Sequence, residues 1–243
     1  MSQLGYSITG NFGSLSDNND KFRAKSYDEN MQTLVLLSSS KLLPLALKTI
    51  NRPANTIRLA HIITASKDVK DLSYLDRTRA ILNGLGVQYE DMDIEGKDEA
   101  ELLRLFNSHD AIFVNGGNTF YLLKAVRESG FDKVVKQLLD KGTVYIGASA
   151  GSYICCPTIE TSFWKTSPKD MHDTHGMTDF TGMNLVPFIM KVHYVPEEET
   201  YIREKVKTAT KPVKILTDEQ GLLVRDGKVE LIGNGQEISI RTV

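Results

Sequence analysis

The fold is decided by the stretch Val144-Tyr145-Ile146-Gly147-Ala148-Ser149-Ala150-Gly151-Ser152-Tyr153-Ile154. An apolar run stops at a serine that has glycines two positions before and two positions after it. This spacing predicts a strand, a sharp turn and the start of a helix, because small neighbours avoid clashes where the turn is tight. The turn would lift the Ser149 hydroxyl out of the sheet, and the amide of Ala150 could donate to a developing oxyanion. The pattern indicates a nucleophile that attacks an acyl carbon, and the alternative is close packing of a helix on a strand without any catalytic role.

Strand and helix patterns alternate on the N-terminal side of this stretch. Apolar runs cover residues 33–37, 57–63, 87–94 and 111–114, and helical patterns cover residues 41–51, 72–85, 98–107, 120–128 and 133–139. Helices between successive strands imply crossover connections and a parallel sheet, whose ligand sites lie beyond the carboxyl ends of the strands. On the C-terminal side, short strand patterns with Asp-Gly and Asn-Gly turns cover residues 213–216, 221–225, 229–232 and 237–240. We therefore expect an α/β fold with a mostly parallel central sheet and a C-terminal antiparallel hairpin region.

Composition and charge restrict the partners. The 243 residues suit one domain over residues 31–243, preceded by a polar extension over residues 1–30. With 29 Lys and Arg against 31 Asp and Glu, the net charge is -2 and no basic stripe is present, so we expect no nucleic-acid partner. No apolar run approaches the roughly 18 to 20 residues that span a bilayer, so we expect a cytoplasmic protein without a membrane partner. The assembly state is left open, with a homodimer among the alternatives.

The two cysteines, Cys155 and Cys156, are adjacent in the sequence. A disulfide between neighbouring residues would be strained, and no third cysteine is available for a long-range bridge. We expect both to be reduced core residues.

A serine nucleophile needs a base, and histidine is the usual one near neutral pH. We favour His193, because it follows an apolar run that reads as a strand and would therefore lie at the carboxyl end of the sheet. The alternative for His193 is a hydrogen-bonded structural histidine. The other four are expected in the core (His61), in solvent (His109), and in a stretch that could approach the site (His172 and His175).

A second oxyanion donor could come from Gly116 or Gly117, which close one strand and open a helix. Glycine lets the backbone approach a ligand without a Cβ in the way. The alternatives are a tight turn from strand to helix and a phosphate-binding loop. The second of these lacks both G-x-G-x-x-G and the Lys-Ser/Thr of a P-loop.

Three motifs in this order resemble the peptidase E family of serine dipeptidases, which includes aspartyl dipeptidases and cyanophycinases. They are FVNGGNTFYLL over residues 113–123, GASAGS over residues 147–152, and GMNLVPF over residues 182–188 with the segment that continues to His193. The likeness extends from about Gln32 to the C-terminus. It implies a three-layer α/β/α sandwich related to class I glutamine amidotransferases, with serine in place of their cysteine.

The resemblance also implies a set of roles. Ser149 would be the nucleophile, His193 the general base, and Gly116 or Gly117 together with Ala150 the oxyanion donors. The reaction would be hydrolysis of a short peptide through an acyl-enzyme, with no metal and no cofactor. Further substrate contacts would come from Asn118 and Arg203.

The chain departs from the family pattern at two places. Family members place an Asp or Glu between the nucleophile and the histidine, but Trp164 stands where ungapped counting expects an aspartate, fifteen residues beyond Ser149. We favour Glu160 over Asp170 as the third member of the triad, with Asp173 and Asp179 behind them. Tyr201 stands where aspartyl dipeptidases have an arginine for the substrate carboxylate, and Arg203 lies two residues further on. The sequence therefore leaves open whether the protein requires an N-terminal Asp, and the alternative for Arg203 is a charge on a helix surface.

Two other functions compete with the peptidase. An esterase of the α/β-hydrolase type also uses G-x-S-x-G, although its histidine normally lies nearer the chain end than His193. A catalytically silent binding protein with the same fold is the third reading, motivated by the unassigned carboxylate of the triad.

Overall fold

The computed structural model describes residues 32–167 and 171–240, so the expected extension over residues 1–30 lies outside the described residues. The strands are β1 (Thr33–Leu37), β2 (Arg58–Ile62), β3 (Gln88–Met92), β4 (Ala111–Val114), β5 (Val144–Ala148), β6 (Ile189–Lys191), β7 (Val213–Ile215), β8 (Gln220–Arg225) and β9 (Lys228–Gly233). The α-helices are α1 (Leu43–Lys48), α2 (Ser73–Leu85), α3 (Glu99–Phe106), α4 (Thr119–Ser129), α5 (Phe131–Asp140), α6 (Ala150–Tyr153) and α7 (Glu199–Thr208). Short 3-10 helices cover Ser40–Leu42, Ala54–Thr56, Thr64–Asp68, Glu160–Phe163 and Pro196–Glu198.

A seven-stranded sheet in the order β3-β2-β4-β5-β1-β8-β9 forms the centre of the fold. The first five strands in this order are parallel to one another, while β8 is antiparallel to β1 and β9 is antiparallel to β8. The carboxyl ends of β1, β4 and β5 therefore meet at one edge, and β8 begins at that same edge.

Alternate residues of β1 show why the sheet is covered on both faces. Leu34 and Leu36 belong to one buried apolar cluster, while Val35 and Leu37 belong to a second cluster on the opposite face. Helix α1 and Leu82 of α2 contribute to the second cluster, and α3, α4 and α5 contribute to the first. Successive side chains of a strand point to opposite faces, so a continuous apolar run requires helices on both sides. The predicted three-layer α/β/α sandwich is thus confirmed.

The C-terminal region differs from the expectation in two respects. The segment over residues 213–216 was expected in the antiparallel hairpin region, but β7 pairs in parallel with β6 in a separate two-stranded sheet. The pattern over residues 237–240 forms no strand there, only an isolated bridge between Ile238 and Ile215. An apolar alternation of three or four residues fixes neither a strand's partner nor its direction. The hairpin of β8 and β9 is confirmed.

Both cysteines are buried and free. Cys155 and Cys156 follow the short helix α6, and burial raises the pKa of the Cys156 thiol to about 12. They are core residues, as expected. Across the two described ranges, none of the helices combines the length and apolar character needed to cross a membrane.

Candidate active site

Ser149 occupies the sharp turn between β5 and α6. Its backbone has φ 52° and ψ -110°, a region that costs a residue other than glycine about 1–3 kcal/mol. Two contacts with the end of β1 hold the turn in place, because the Ser149 amide and the Ser152 hydroxyl both donate to the carbonyl oxygen of Leu37, at 3.1 and 2.8 Å. The strained backbone at Ser149 is therefore fixed by the neighbouring strand.

The two flanking glycines are required by close backbone contacts. A Cβ placed on Gly147 would lie 2.5 Å from the carbonyl oxygen of Gly151. A Cβ placed on Gly151 would lie 2.1 Å from the carbonyl oxygen of Val114 at the end of β4. Both obstacles are backbone atoms that cannot rotate away, so the glycine spacing seen in the sequence has a direct steric cause.

His193 follows β6 and faces this serine. Its Nε2 lies 2.9 Å from the Ser149 Oγ. The backbone at His193 has φ 57°, and its amide donates to the Ser38 Oγ at 2.8 Å. Ser38 comes directly after β1, so the ring is anchored to the strand that also holds the Ser149 turn.

The second ring nitrogen of His193 lies against a carboxylate. Nδ1 is 2.5 Å from Oδ1 of Asp218, and that oxygen also accepts from the Ser38 hydroxyl at 3.1 Å. The hydrogen bond with His193 lowers the pKa of Asp218 below its ordinary value, although burial opposes the shift. An ionised carboxylate only accepts, so Nδ1 carries the proton and Nε2 presents its lone pair to Ser149.

The carboxylate next to His193 differs from the ones expected for the third member of the triad. Among the described residues, the carboxylate at His193 Nδ1 is Asp218, which follows the histidine in sequence, and not Glu160, which precedes it. Glu160 begins the 3-10 helix Glu160–Phe163, where its amide donates to the Thr158 hydroxyl. Asp170 lies outside the described residues. The carboxylates of Asp173 and Asp179 accept hydrogen bonds from the backbone amides of His175 and Thr181.

The glycine loop after β4 packs beside Ser149. A Cβ on Gly116 would lie 3.2 Å from the Ser149 Cβ, and a Cβ on Gly117, where φ is 139°, would lie 2.2 Å from the Ala65 carbonyl oxygen. The amide of Gly116 donates to the Asn115 Oδ1 at 2.8 Å. Because that amide is already engaged, Gly116 is a poorer candidate for an oxyanion donor than Gly117 or Ala150.

The two residues expected to contact the substrate both have partners within the chain. Asn118 is fully buried, and its Oδ1 accepts from the amides of Phe120 and Tyr121 at the start of α4, as an N-cap does. Its Nδ2 donates to Asp68 at 2.6 Å and to the carbonyl oxygen of Asp173 at 3.0 Å. Arg203 lies on α7 and pairs with Glu199 one turn earlier, at 2.5 Å.

The remaining histidines lie in three different settings. His61 is fully buried between Asp91 and Asn115, which confirms a hydrogen-bonded core position. His109 is buried too, so the expected solvated position was wrong. His175 pairs with Asp68 at 2.9 Å, and His172 is exposed. Within residues 32–167 and 171–240, no three His, Cys, Asp or Glu side chains come together as a metal site.

Comparison with known proteins places this chain in a family. The family model described as peptidase family S51 matches residues 34–232. An uncharacterized peptidase of Listeria innocua is 31% identical over 171 residues, which are 69% of this chain and 80% of the relative. Peptidase E of Salmonella typhi is 32% identical over 171 residues, 66% of this chain and 69% of that protein.

Solved structures agree with the sequence comparison. The crystal structure of a protein from Listeria monocytogenes EGD-e assigned to peptidase E superposes with a TM-score of 0.71 and 27% identity, and covers 84% of this chain and 100% of the other. A peptidase from an acI-B1 Actinobacterium shares the fold alone, with a TM-score of 0.62 and 15% identity over 84% of this chain and 88% of the other. The family match spans β1 to β9 and includes Ser149, His193 and Asp218, so this chain belongs to peptidase family S51.

Proposed function

We propose that this peptidase is a serine peptidase of the dipeptidase type, which hydrolyses short peptides through an acyl-enzyme on Ser149. One observation carries the proposal: His193 Nε2 lies 2.9 Å from the Ser149 Oγ while its Nδ1 is held by Asp218. A nucleophile, a base and a group that orients the base are what acyl transfer by a serine requires. The peptidase E relatives and the family motifs support a peptide substrate.

Acylation begins when the Ser149 Oγ attacks the scissile carbonyl carbon. The hydroxyl proton passes to His193 Nε2, and the carbonyl oxygen becomes an oxyanion near the amides of Ala150 and Gly117. Collapse of this intermediate breaks the carbon–nitrogen bond, and the proton on His193 passes to the leaving amine. Water then attacks the ester with His193 again as base, which releases the carboxylic acid and restores the serine.

Asp218 serves the reaction through His193. Its ionised carboxylate keeps the proton on Nδ1 and stabilises the imidazolium that forms during each proton transfer. The lowered pKa of Asp218 keeps it ionised across the neutral range. Asp218 also accepts a hydrogen bond from Ser38, whose hydroxyl oxygen accepts from the His193 amide. One carboxylate therefore positions the His193 ring directly and the His193 backbone through Ser38.

The test is turnover on a panel of dipeptides, measured as release of free amino acids, together with labelling by a fluorophosphonate. We expect the wild-type protein to hydrolyse at least part of the panel and to be labelled at Ser149, and Ser149→Ala to lose both. Ser73→Ala, which changes a surface serine at the start of α2, is the matched control and should behave as wild type.

Other results would favour a different function. Turnover of the panel by Ser149→Ala at the wild-type rate would overturn the proposal. Absence of labelling in the wild type would favour a catalytically silent binding protein. Rapid hydrolysis of simple esters without cleavage of any peptide would favour an esterase.

A further inference from the structure

A hydrogen-bonded chain leads from Asp91, at the exposed edge of the sheet, through two buried side chains to the glycine loop beside Ser149. Oδ1 of Asp91, on β3, lies 2.7 Å from Nδ1 of His61 on β2. Nε2 of His61 lies 3.0 Å from Nδ2 of Asn115, which follows β4. Oδ1 of Asn115 accepts from the amide of Gly116 at 2.8 Å. His61 and Asn115 are both almost inaccessible to water, with exposed fractions of 0% and 1%.

The chemistry of the four groups determines which of them donates and which accepts in each of these hydrogen bonds. The carboxylate of Asp91 only accepts, so His61 Nδ1 carries the proton and Nε2 is left as an acceptor. Nε2 then accepts a hydrogen bond from the Asn115 amide nitrogen, which turns Oδ1 of Asn115 toward the Gly116 amide. The hydrogen bond from His61 is the main cause of the lowered pKa of Asp91, which keeps that carboxylate ionised. Each group thus fixes the orientation of the next.

A second contact holds the carbonyl group of Gly116. The Tyr74 hydroxyl, on α2, donates to the Gly116 carbonyl oxygen at 3.1 Å. Burial raises the pKa of Tyr74 to about 12, so its hydroxyl stays a donor. In a trans peptide the C=O and the next N–H point in opposite directions. Tyr74 therefore sets the direction of the Gly117 N–H, on the side away from Tyr74.

Gly116 needs these two contacts because the site requires glycine at this position, and glycine alone does not hold one backbone conformation. A Cβ at this position would press on Ser149 at 3.2 Å, which favours glycine. Glycine has the widest choice of backbone conformations, and a flip of the Gly116–Gly117 peptide would remove an amide from the site. With its N–H held by Asn115 and its C=O held by Tyr74, Gly116 has both of its backbone torsions fixed.

We propose that Asp91, His61 and Asn115 act in series as positioning residues that, with Tyr74, fix the Gly116–Gly117 peptide so that the Gly117 amide serves as an oxyanion donor. This inference rests on the proposed serine peptidase function. None of the four side chains is a catalytic residue, because each acts through the backbone of the loop.

Steady-state kinetics on the dipeptide that the wild type cleaves best provide the test. We expect Asn115→Ala to lower kcat on the order of 10²-fold with KM changed less than about threefold, as for loss of a group that acts only in the transition state. Tyr74→Phe, which removes one oxygen atom, should lower kcat about tenfold. Tyr89→Phe is the matched control: the Tyr89 ring lies on β3 in a T-shaped arrangement with the His61 ring, at 6.2 Å between centroids, and the kcat of this variant should equal that of the wild type.

A double-mutant cycle tests whether Asp91 acts through Asn115 or independently of it. Asp91→Asn should lower kcat about tenfold, and Asp91→Asn combined with Asn115→Ala should be no slower than Asn115→Ala alone. Multiplication of the two single effects would overturn the series, because it would show that Asp91 acts by another route. A wild-type kcat for Asn115→Ala, or a raised KM with unchanged kcat, would overturn the positioning role.

Three further results keep the test decisive. If Asn115→Ala does not fold, as judged by circular dichroism, Tyr74→Phe decides: a wild-type kcat overturns the proposal and a tenfold loss with constant KM supports it. If Ser149→Ala retains turnover, both the proposed function and this inference are overturned. If Ser149 is required but Asn115 and Tyr74 are not, this inference alone fails.

Discussion

Two histidine–aspartate pairs lie on opposite sides of the Ser149 turn, and they differ in what the second ring nitrogen meets. His193 contacts Asp218 through Nδ1 at 2.5 Å and the hydroxyl of Ser149 through Nε2 at 2.9 Å. His61 contacts Asp91 through Nδ1 at 2.7 Å and the amide of Asn115 through Nε2 at 3.0 Å. The His193 side chain is 38% exposed, whereas that of His61 is completely buried.

The comparison shows that the pair alone does not define a function. In both pairs the carboxylate places the proton on Nδ1 and leaves Nε2 as an acceptor. A serine hydroxyl can give its proton to that acceptor once it attacks a carbonyl, whereas an amide N–H keeps its proton and is only held in place. The partner of Nε2 thus makes His193 the candidate base and His61 a fixed structural acceptor.

The largest effect should come from His193. We expect His193→Ala to lower kcat at least about 10⁴-fold, because no base would remain for the serine proton. The thermal midpoint should change little, since the ring is partly exposed. Initial rates with the best dipeptide check the first expectation, and differential scanning calorimetry checks the second. Retention of a tenth of the activity would remove the distinction between the two histidines.

Replacement of Asp218 should give the next largest loss of kcat. Asp218→Asn is expected to lower kcat by about 10³- to 10⁴-fold, because an amide can present the wrong proton arrangement to His193 Nδ1. The corresponding change at the other histidine, Asp91→Asn, should lower kcat only about tenfold. Comparison of the two isosteric variants at one pH checks this. Equal losses would show that the two carboxylates act alike.

The sequence predicted the Ser149 side of the site because its requirements are local. Gly147, Ser149 and Gly151 lie within five residues, and the steric contacts that require the glycines arise from that turn and its neighbouring strand. His193 was predictable for a related reason, since a polar ring directly after an apolar strand lies at the edge where ligands bind. Parallel strands and both helical layers followed from the alternation of apolar patterns.

Asp218 could not be reached by the same reasoning, because its position depends on strand direction. It lies just before β8, and an antiparallel strand begins at the edge where its parallel neighbours end. The hairpin pattern over residues 221–232 contained this signal, since antiparallel pairing of β8 with β1 brings the residues before β8 to Ser38. The pairing partner of β8 is set by tertiary packing, which short apolar patterns do not specify.

For stability we expect the opposite order: replacement of His61 should lower the free energy of unfolding more than replacement of His193. His61 is stacked on Phe113 with ring centroids 5.2 Å apart and fills a fully buried site, so His61→Ala should lower the free energy of unfolding by about 3 kcal/mol. His193→Ala should lower it by less than about 1 kcal/mol. Urea unfolding followed by circular dichroism measures both. A smaller loss for His61→Ala than for His193→Ala would contradict the burial argument.

The pH dependence of stability should reveal the pair of Asp91 and His61. The pKa of Asp91 is lowered from its ordinary value of 3.8, first by the hydrogen bond with His61 and also by Arg79. A depressed pKa in the folded state stabilises the fold above the unfolded value and loses that contribution as the pH falls through the folded one. The free energy of unfolding should therefore fall less steeply below about pH 4 in Asp91→Asn than in the wild type. Parallel acid titrations of the two proteins would contradict this.

The smallest effect should come from Glu160, whose position in sequence favoured it as the partner of His193. It lies in the 3-10 helix Glu160–Phe163, and the carboxylate at His193 is that of Asp218. Glu160→Gln keeps the size of the side chain and removes only its charge, so kcat should stay within about twofold of the wild type. The matched change is Asp218→Asn, which also replaces a carboxylate by its amide. If Glu160→Gln lost as much activity as Asp218→Asn, the base would depend on a carboxylate that precedes it in the chain, and the comparison of the two histidine–aspartate pairs would no longer describe the site.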